Sequence, residues 1–210
     1  MSYHAHRTAA ERGAPLVFTF HGTGGDQHQF HDIARQLVPG AAVVSPRGDV
    51  NEMGHLRFFK RKAEGVYYMD DLWMRVEAMA KFLRAEKSEA APPRTVGLGY
   101  SNGANILAAT AFRHPELVDE LVLMHPLIPF TPDPQPGLAG RRVLITAGER
   151  DPICPAPRTE ALHDWFREQG AEVTLHWHDG GHDLRQEELV AALGLLTRQA
   201  TPADAGRPKT

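Results

Sequence analysis

The sequence predicts an α/β protein: one mostly parallel sheet of about six or seven strands, with helices on both faces. Three observations point there. Short apolar runs recur along the chain, amphipathic segments lie between them, and several of the runs are continuously apolar, as in strands covered on both sides. Repeated strand–helix alternation implies right-handed crossovers and therefore parallel neighbours.

The strands are expected over 16–20, 42–45, 95–99, 120–124, 142–146 and 173–177. Between 70 and 86, Leu72, Val76, Met79, Phe82 and Leu83 fall on one face of a helix. A helix of small residues is expected over 102–114, stopped by Pro115. Another is expected over 158–169, stopped by Gly170, and a last one over 186–198. The 210 residues fit one domain over 15–200, preceded by a polar extension over 1–14 and followed by a flexible tail over 201–210.

Composition excludes several function classes. The chain has 23 basic and 26 acidic residues, a net charge of −3 and no basic stripe, which argues against a nucleic-acid partner. No apolar stretch approaches the roughly 18 residues of a membrane span. The first fifteen residues lack the apolar core of a signal peptide, and the single cysteine, Cys154, cannot form an internal disulfide, so a cytoplasmic location is expected. A homodimer is compatible with these features.

In parallel sheets the chemistry sits at the carboxyl ends of the strands. After the 95–99 strand stands Gly99-Tyr100-Ser101-Asn102-Gly103, opening a helix. A sharp strand-to-helix turn holds such a serine in strained geometry, and glycines two residues away on each side relieve the crowding, so Ser101 is the expected nucleophile. After the first strand comes His21-Gly22-Thr23-Gly24-Gly25-Asp26. A glycine-rich turn can aim backbone N–H groups at a developing oxyanion, and Thr23 N–H is the expected donor, with Asn102 N–H as the second. A phosphate loop would need a following Gly-Lys-Ser/Thr, which is missing. His21 reads as structural.

Asp151 follows the fifth strand in Gly148-Glu149-Arg150-Asp151-Pro152, and His182 follows the sixth in Asp179-Gly180-Gly181-His182-Asp183. Glu149, Asp179 and Asp183 compete for the acid's role, but Asp151 is favoured by its place after a strand. The chain order Ser101, Asp151, His182 is that of α/β-hydrolases. His182 would take the proton of Ser101 and Asp151 would fix its tautomer. His176 and His178 share a strand face and sit near His182, but their spacing matches no zinc signature, so no metal and no cofactor is expected. Cys154 lacks an elbow and reads as a small packed residue.

These motifs resemble the α/β-hydrolase superfamily. Within it they resemble the bacterial phospholipase/carboxylesterase family, related to acyl-protein thioesterases and lysophospholipases. The resemblance runs over nearly all of 15–198. The segment from Pro46-Arg47-Gly48 through Arg57-Phe58-Phe59-Lys60-Arg61 to Asp70-Asp71-Leu72 resembles a narrower bacterial branch, some of whose members are linked to hydroquinone and catechol stress.

The resemblance implies a serine carboxylesterase acting on a small-molecule ester, with the triad Ser101, Asp151 and His182 and an oxyanion hole from Thr23 and Asn102. A lysophospholipase or thioesterase would use the same residues, and a slow receptor-like hydrolase would use the groove for recognition. Only a Pro-rich loop separates Met124 from Arg142, where many relatives insert a lid. An open, shallow site for short-chain or aryl esters is therefore expected, with Phe58, Phe59, Leu127, Ile128 and Phe130 as candidate apolar walls.

Overall fold

Each of the six apolar runs is a strand of one seven-stranded sheet in the computed structural model, which describes residues 3–11 and 13–197. In chain order the first elements are β1 (Ala5–Thr8), β2 (Leu16–Phe20), α1 (His31–Leu37) and β3 (Ala42–Pro46). Four short strands follow: β4 (Val50–Glu52), β5 (His55–Arg57), β6 (Arg61–Ala63) and β7 (Val66–Tyr67). Then come α2 (Met69–Ala90), β8 (Thr95–Tyr100), α3 (Asn102–Arg113) and β9 (Glu120–Met124). The chain continues through β10 (Arg142–Gly148), α4 (Ala156–Glu168), β11 (Glu172–His178) and α5 (Gln186–Thr197).

The sheet order is β1-β3-β2-β8-β9-β10-β11, parallel throughout except for β1. Alternate residues feed two apolar layers. Phe18, Phe20, Leu121, Val143 and Ile145 meet α2, α3 and α4 through Val76, Met79, Ile106, Leu107 and Phe166. Val17, Val43, Val96, Val122 and Leu144 meet α1 and α5 through Ala34, Leu37, Ala192 and Leu196. Between β2 and β8 the strand order changes direction, so the loops that follow them open away from each other. That switch point is where open α/β sheets bind ligands.

The amino-terminal segment departs from the expected polar extension. Ala5–Thr8 pair antiparallel with β3, Ala5 opposite Pro46 and Thr8 opposite Val43. An edge strand needs one covered face and a mixed Ala-His-Arg-Thr sequence suffices, which leaves no apolar run to read. The seven-residue α1 and the two hairpins β4–β5 and β6–β7 were likewise not expected from the sequence; each is too short to show a period. The expected tail over 201–210 lies outside the described residues. No helix among the described residues is long and apolar enough to cross a membrane.

Gly103 shows how closely α3 is pressed onto the sheet. A Cβ there would lie 2.2 Å from the Phe20 carbonyl oxygen and 2.5 Å from that of His21. In an unconstrained helix Gly→Ala stabilises by about 1 kcal/mol. Here Gly103→Ala should instead destabilise by about 1–3 kcal/mol, because backbone cannot yield. Urea denaturation measures the sign, and an unchanged or raised midpoint would contradict this packing.

Candidate active site

Ser101 sits between β8 and α3 at φ 51° and ψ −117°, a left-handed backbone that a non-glycine residue adopts only under constraint. The constraint is visible on both sides. Ser101 N–H donates to Met124 O at 2.8 Å, and its carbonyl accepts from Asn105 N at 2.9 Å. A Cβ on Gly99 would lie 2.7 Å from Gly103 O, so the two glycines let the turn close on itself.

The turn lifts the serine hydroxyl toward His182. His182 Nε2 is 2.9 Å from Ser101 Oγ, and Nδ1 is 2.7 Å from Asp151 Oδ2. An ionised carboxylate only accepts, so Nδ1 carries the proton and Nε2 is left to accept from the hydroxyl. Asp151 Oδ1 accepts from the N–H groups of Ile153 and Cys154 at 2.8 and 3.0 Å. Burial alone would raise the Asp151 carboxyl, but bonds from His125, His182 and Cys154 N–H outweigh it and hold the group well below the usual carboxylate range. Tyr100 donates to His182 O at 2.7 Å and fixes the loop that carries the imidazole. Glu149 is exposed and Asp179 pairs with Arg185, so neither replaces Asp151.

The loop after β2 faces Ser101 from across the switch point. Gly22 N–H donates to Gln29 Oε1, Gly24 N–H to Leu56 O and Gly25 N–H to Gly22 O. Thr23 N–H has no acceptor among the described residues, and neither does that of Asn102, the first residue of α3. Both residues line a cavity of about 210 Å³ beside Ser101 and His182.

The hairpins after β3 form one wall of this cavity, contributing Arg57, Arg61, Glu64 and Tyr67. They are tied to the catalytic-side loops by three bonds: Leu56 O from Gly24, Phe58 N–H to Asn102 Oδ1 at 2.8 Å, and Arg57 Nη1 to Thr23 Oγ1 at 2.7 Å. Burial and the Arg61 charge lower the Arg57 guanidinium to about 10, so it remains a cation at neutral pH. The site therefore lacks a helical lid between β9 and β10 but has a β wall, and is less open than the sequence suggests.

Of the five expected wall residues only Leu127 lines the cavity. Phe58 and Phe59 are fully buried, Phe58 against Phe20 and His21, and Phe59 against Tyr67. Ile128 belongs to the core, and Phe130 packs on Trp73 and Phe112. An aromatic pair near a site motif fills the core when its own backbone, rather than its rings, contacts the site. Cys154 is also packed, with its thiol on His125 O at 3.3 Å, and burial followed by the Asp151 charge pushes that thiol up.

The chain's residues 2–188 match the model of the Dienelactone hydrolase family. The chain belongs to the dienelactone hydrolase family. It is a hydrolase of the dienelactone hydrolase and carboxylesterase type, and the α/β-hydrolase superfold read from the motifs is the one observed.

A relative of this chain is "Putative hydrolase MhqD" of Bacillus subtilis (strain 168), 38% identical over 179 residues, 84% of this chain and 90% of the relative. Among solved structures, the protein Atu2452 of unknown function from Agrobacterium tumefaciens str. C58 is 49% identical. Its TM-score is 0.87, covering 92% of this chain and 95% of that one. The Bacillus cereus carboxylesterase is 34% identical at a TM-score of 0.87, covering 92% and 93%.

Behind Asp151 this dienelactone hydrolase family member carries a buried polar layer that the motifs did not reveal. His125 Nδ1 lies 2.8 Å from Asp151 Oδ2, and its Nε2 lies 3.1 Å from Glu188 Oε2. His178 Nε2 approaches His125 Nε2 at 3.3 Å and Glu188 Oε1 at 3.4 Å. The sequence signal for His125 is its position: a polar residue directly after an apolar strand, as Ser101 is.

His125, His178 and Glu188 are close enough to hold a metal ion, as are His125, Asp151 and His182. The hydrogen bonds do not fit a metal in the first set. Gly180 N–H donates to His178 Nδ1 at 3.0 Å, so Nε2 bears the proton and points it into the cluster. In the second set the His182 and His125 nitrogens already donate to Asp151.

Burial pushes the His125 imidazole down, but bonds to Asp151 and Glu188 and their charges outweigh this and raise it from 6.5 to about 9. A folded value above the unfolded one adds stability that is complete below about 6.5 and is lost as pH rises through about 9. The thermal midpoint of the protein should therefore fall across that window, and His125→Gln should flatten the fall. A wild-type midpoint independent of pH there would contradict the charge assignment.

Proposed function

We propose that the protein is a serine carboxylesterase that hydrolyses short-chain or aryl esters through a covalent acyl-enzyme. The observation that carries this reading is the unbroken hydrogen-bond chain from Asp151 through His182 to Ser101 Oγ, at 2.7 and 2.9 Å, ending in a cavity edged by two uncommitted N–H groups.

Ser101 Oγ attacks the ester carbonyl carbon while His182 Nε2 takes its proton. The carbonyl oxygen becomes an oxyanion that accepts from Thr23 and Asn102 N–H, and Asp151 stabilises the imidazolium. Collapse expels the alcohol, protonated by His182. Water, deprotonated by the same nitrogen, then attacks the acyl carbon and returns Ser101. A thiol nucleophile at Cys154 is not supported by the geometry, because its Sγ lies on the Asp151 side of His182, 3.8 Å from Nδ1.

The cavity supports compact substrates. At about 210 Å³ it is below the roughly 300–1,000 Å³ typical of sites for drug-sized ligands. Leu127, Ile153 and Tyr67 give it an apolar side, and Arg57, Arg61 and Glu64 a charged one. The carboxylesterase name of the Bacillus cereus structure agrees with an ester substrate.

A fluorophosphonate probe should label the wild type at Ser101 and leave Ser101→Ala unlabelled. Ser101→Ala should lose roughly 10⁴-fold or more in kcat/KM on p-nitrophenyl acetate. Equal labelling, or equal turnover by both proteins, would overturn the proposal. Across p-nitrophenyl esters of graded length, kcat/KM should be highest for acetate to butyrate and fall for octanoate; a rise toward long chains would contradict the cavity argument.

A further inference from the structure

The layer of His125, His178 and Glu188 does no step of the mechanism above, yet its side chains are fully excluded from solvent. His125 follows β9 at φ 50°, a second left-handed non-glycine residue at a strand end beside the site. Its Nδ1 shares Asp151 Oδ2 with His182 Nδ1, at 2.8 and 2.7 Å.

The groups facing it come from every surrounding element. They are Asp151 from the loop after β10, Glu188 from α5, His178 from the end of β11 and His182 from the following loop. The Tyr100 ring lies 5.8 Å away, and the Cys154 thiol reaches the His125 carbonyl. Two carboxylates are among them, and no lysine or arginine side chain bonds to either carboxylate among the described residues.

The donors determine where the protons sit. Glu188 accepts from Thr146 Oγ1 and from Arg185 N–H. His178, with its Nδ1 taken by Gly180, turns Nε2–H toward Glu188 Oε1 at 3.4 Å and His125 Nε2 at 3.3 Å, while the nearer acceptor for His125 Nε2 is Glu188 Oε2 at 3.1 Å. Nothing in this set is a cation. Two ionised carboxylates buried on either side of one imidazole hold it doubly protonated, since an uncompensated buried charge is far more costly than a paired one.

We infer that His125 is a positioning residue of the esterase, a buried imidazolium that clamps Asp151 and cancels the charge of Glu188, so that one net negative charge faces His182. The inference rests on the serine esterase reading. Two carboxylates and one imidazolium leave the layer at −1, and transfer of the Ser101 proton to His182 Nε2 brings layer and His182 together to neutrality. His125 itself gives up no proton. If its charge is removed, His182 faces two negative charges and holds its proton to higher pH.

The test is the pH dependence of kcat/KM on p-nitrophenyl acetate for wild type, His125→Gln and the double variant His125→Gln/Glu188→Gln. Glutamine keeps a donor for Asp151 but no charge. The acid limb should move up by about one pH unit or more in His125→Gln. It should return toward the wild-type position in the double variant, where the positive and the negative charge leave together. A purely structural role would lower the rate without moving the limb, so superimposable limbs overturn the inference.

If His125→Gln does not fold, ¹⁵N NMR of the wild type decides. His125 protonated on both nitrogens at pH 7 supports the inference, and protonation on one nitrogen overturns it. A wild type without Ser101-dependent hydrolysis would sink the esterase reading and this inference with it; intact hydrolysis with an unmoved limb would sink the inference alone.

Discussion

Ser101 is held in a left-handed conformation at the junction of β8 and α3, and much of the surrounding structure can be understood as what that conformation requires. Such a backbone costs on the order of 1–3 kcal/mol and persists only where the surroundings over-determine it. Here β9 accepts the serine's N–H, α3 donates to its carbonyl, and Gly103 is pressed against the end of β2. The same junction places the first N–H of α3 next to the hydroxyl. One strained turn thus sets the hydroxyl of Ser101 and the N–H of Asn102, the proposed nucleophile and oxyanion donor, on a single rigid element.

The other components converge on it from different strands. The β2 loop brings Thr23, the β10 loop Asp151, and the β11 loop His182, all at the carboxyl edge of the sheet. Asp151 accepts four hydrogen bonds, so it is oriented without depending on His182 alone. Burying two carboxylates and two histidines in one layer is costly unless every polar atom is satisfied. The satisfaction of Asp151 and Glu188 by backbone and imidazole donors is what makes a dry layer behind the site tolerable. It also explains why the donor set suits protons better than a metal ion.

The sequence disclosed what is local. Six strands were legible because each is a short apolar run flanked by a helical period, and Ser101, Asp151 and His182 because each follows such a run within a few residues. The strand β1 escaped because its residues are mixed and its pairing is with β3, far along the chain. The hairpins between Val50 and Tyr67 escaped because strands of two or three residues carry no period. The hydrophobicity of Phe58 and Phe59 suits a pocket wall as well as a core, and only packing decides which an aromatic ring faces. His125, His178 and Glu188 sit on three elements separated by up to 63 residues, so no spacing in the chain signals their contact.

The β wall changes what the short chain means. No α-helix lies between β9 and β10, yet 18 residues between β3 and α2, from Val50 to Tyr67, close one side of the site and brace the β2 loop through Arg57 and Leu56. For the proposed esterase, a site built this way is rigid where the oxyanion would form and small where the acyl group would lie. In the proposed esterase, acyl transfer passes through Ser101. Peptide mapping by mass spectrometry of enzyme acid-quenched during p-nitrophenyl acetate turnover reads this step itself. An acetyl group is expected on the peptide bearing Ser101; acetylation of Cys154 instead, or turnover with no acylated peptide at all, would contradict it.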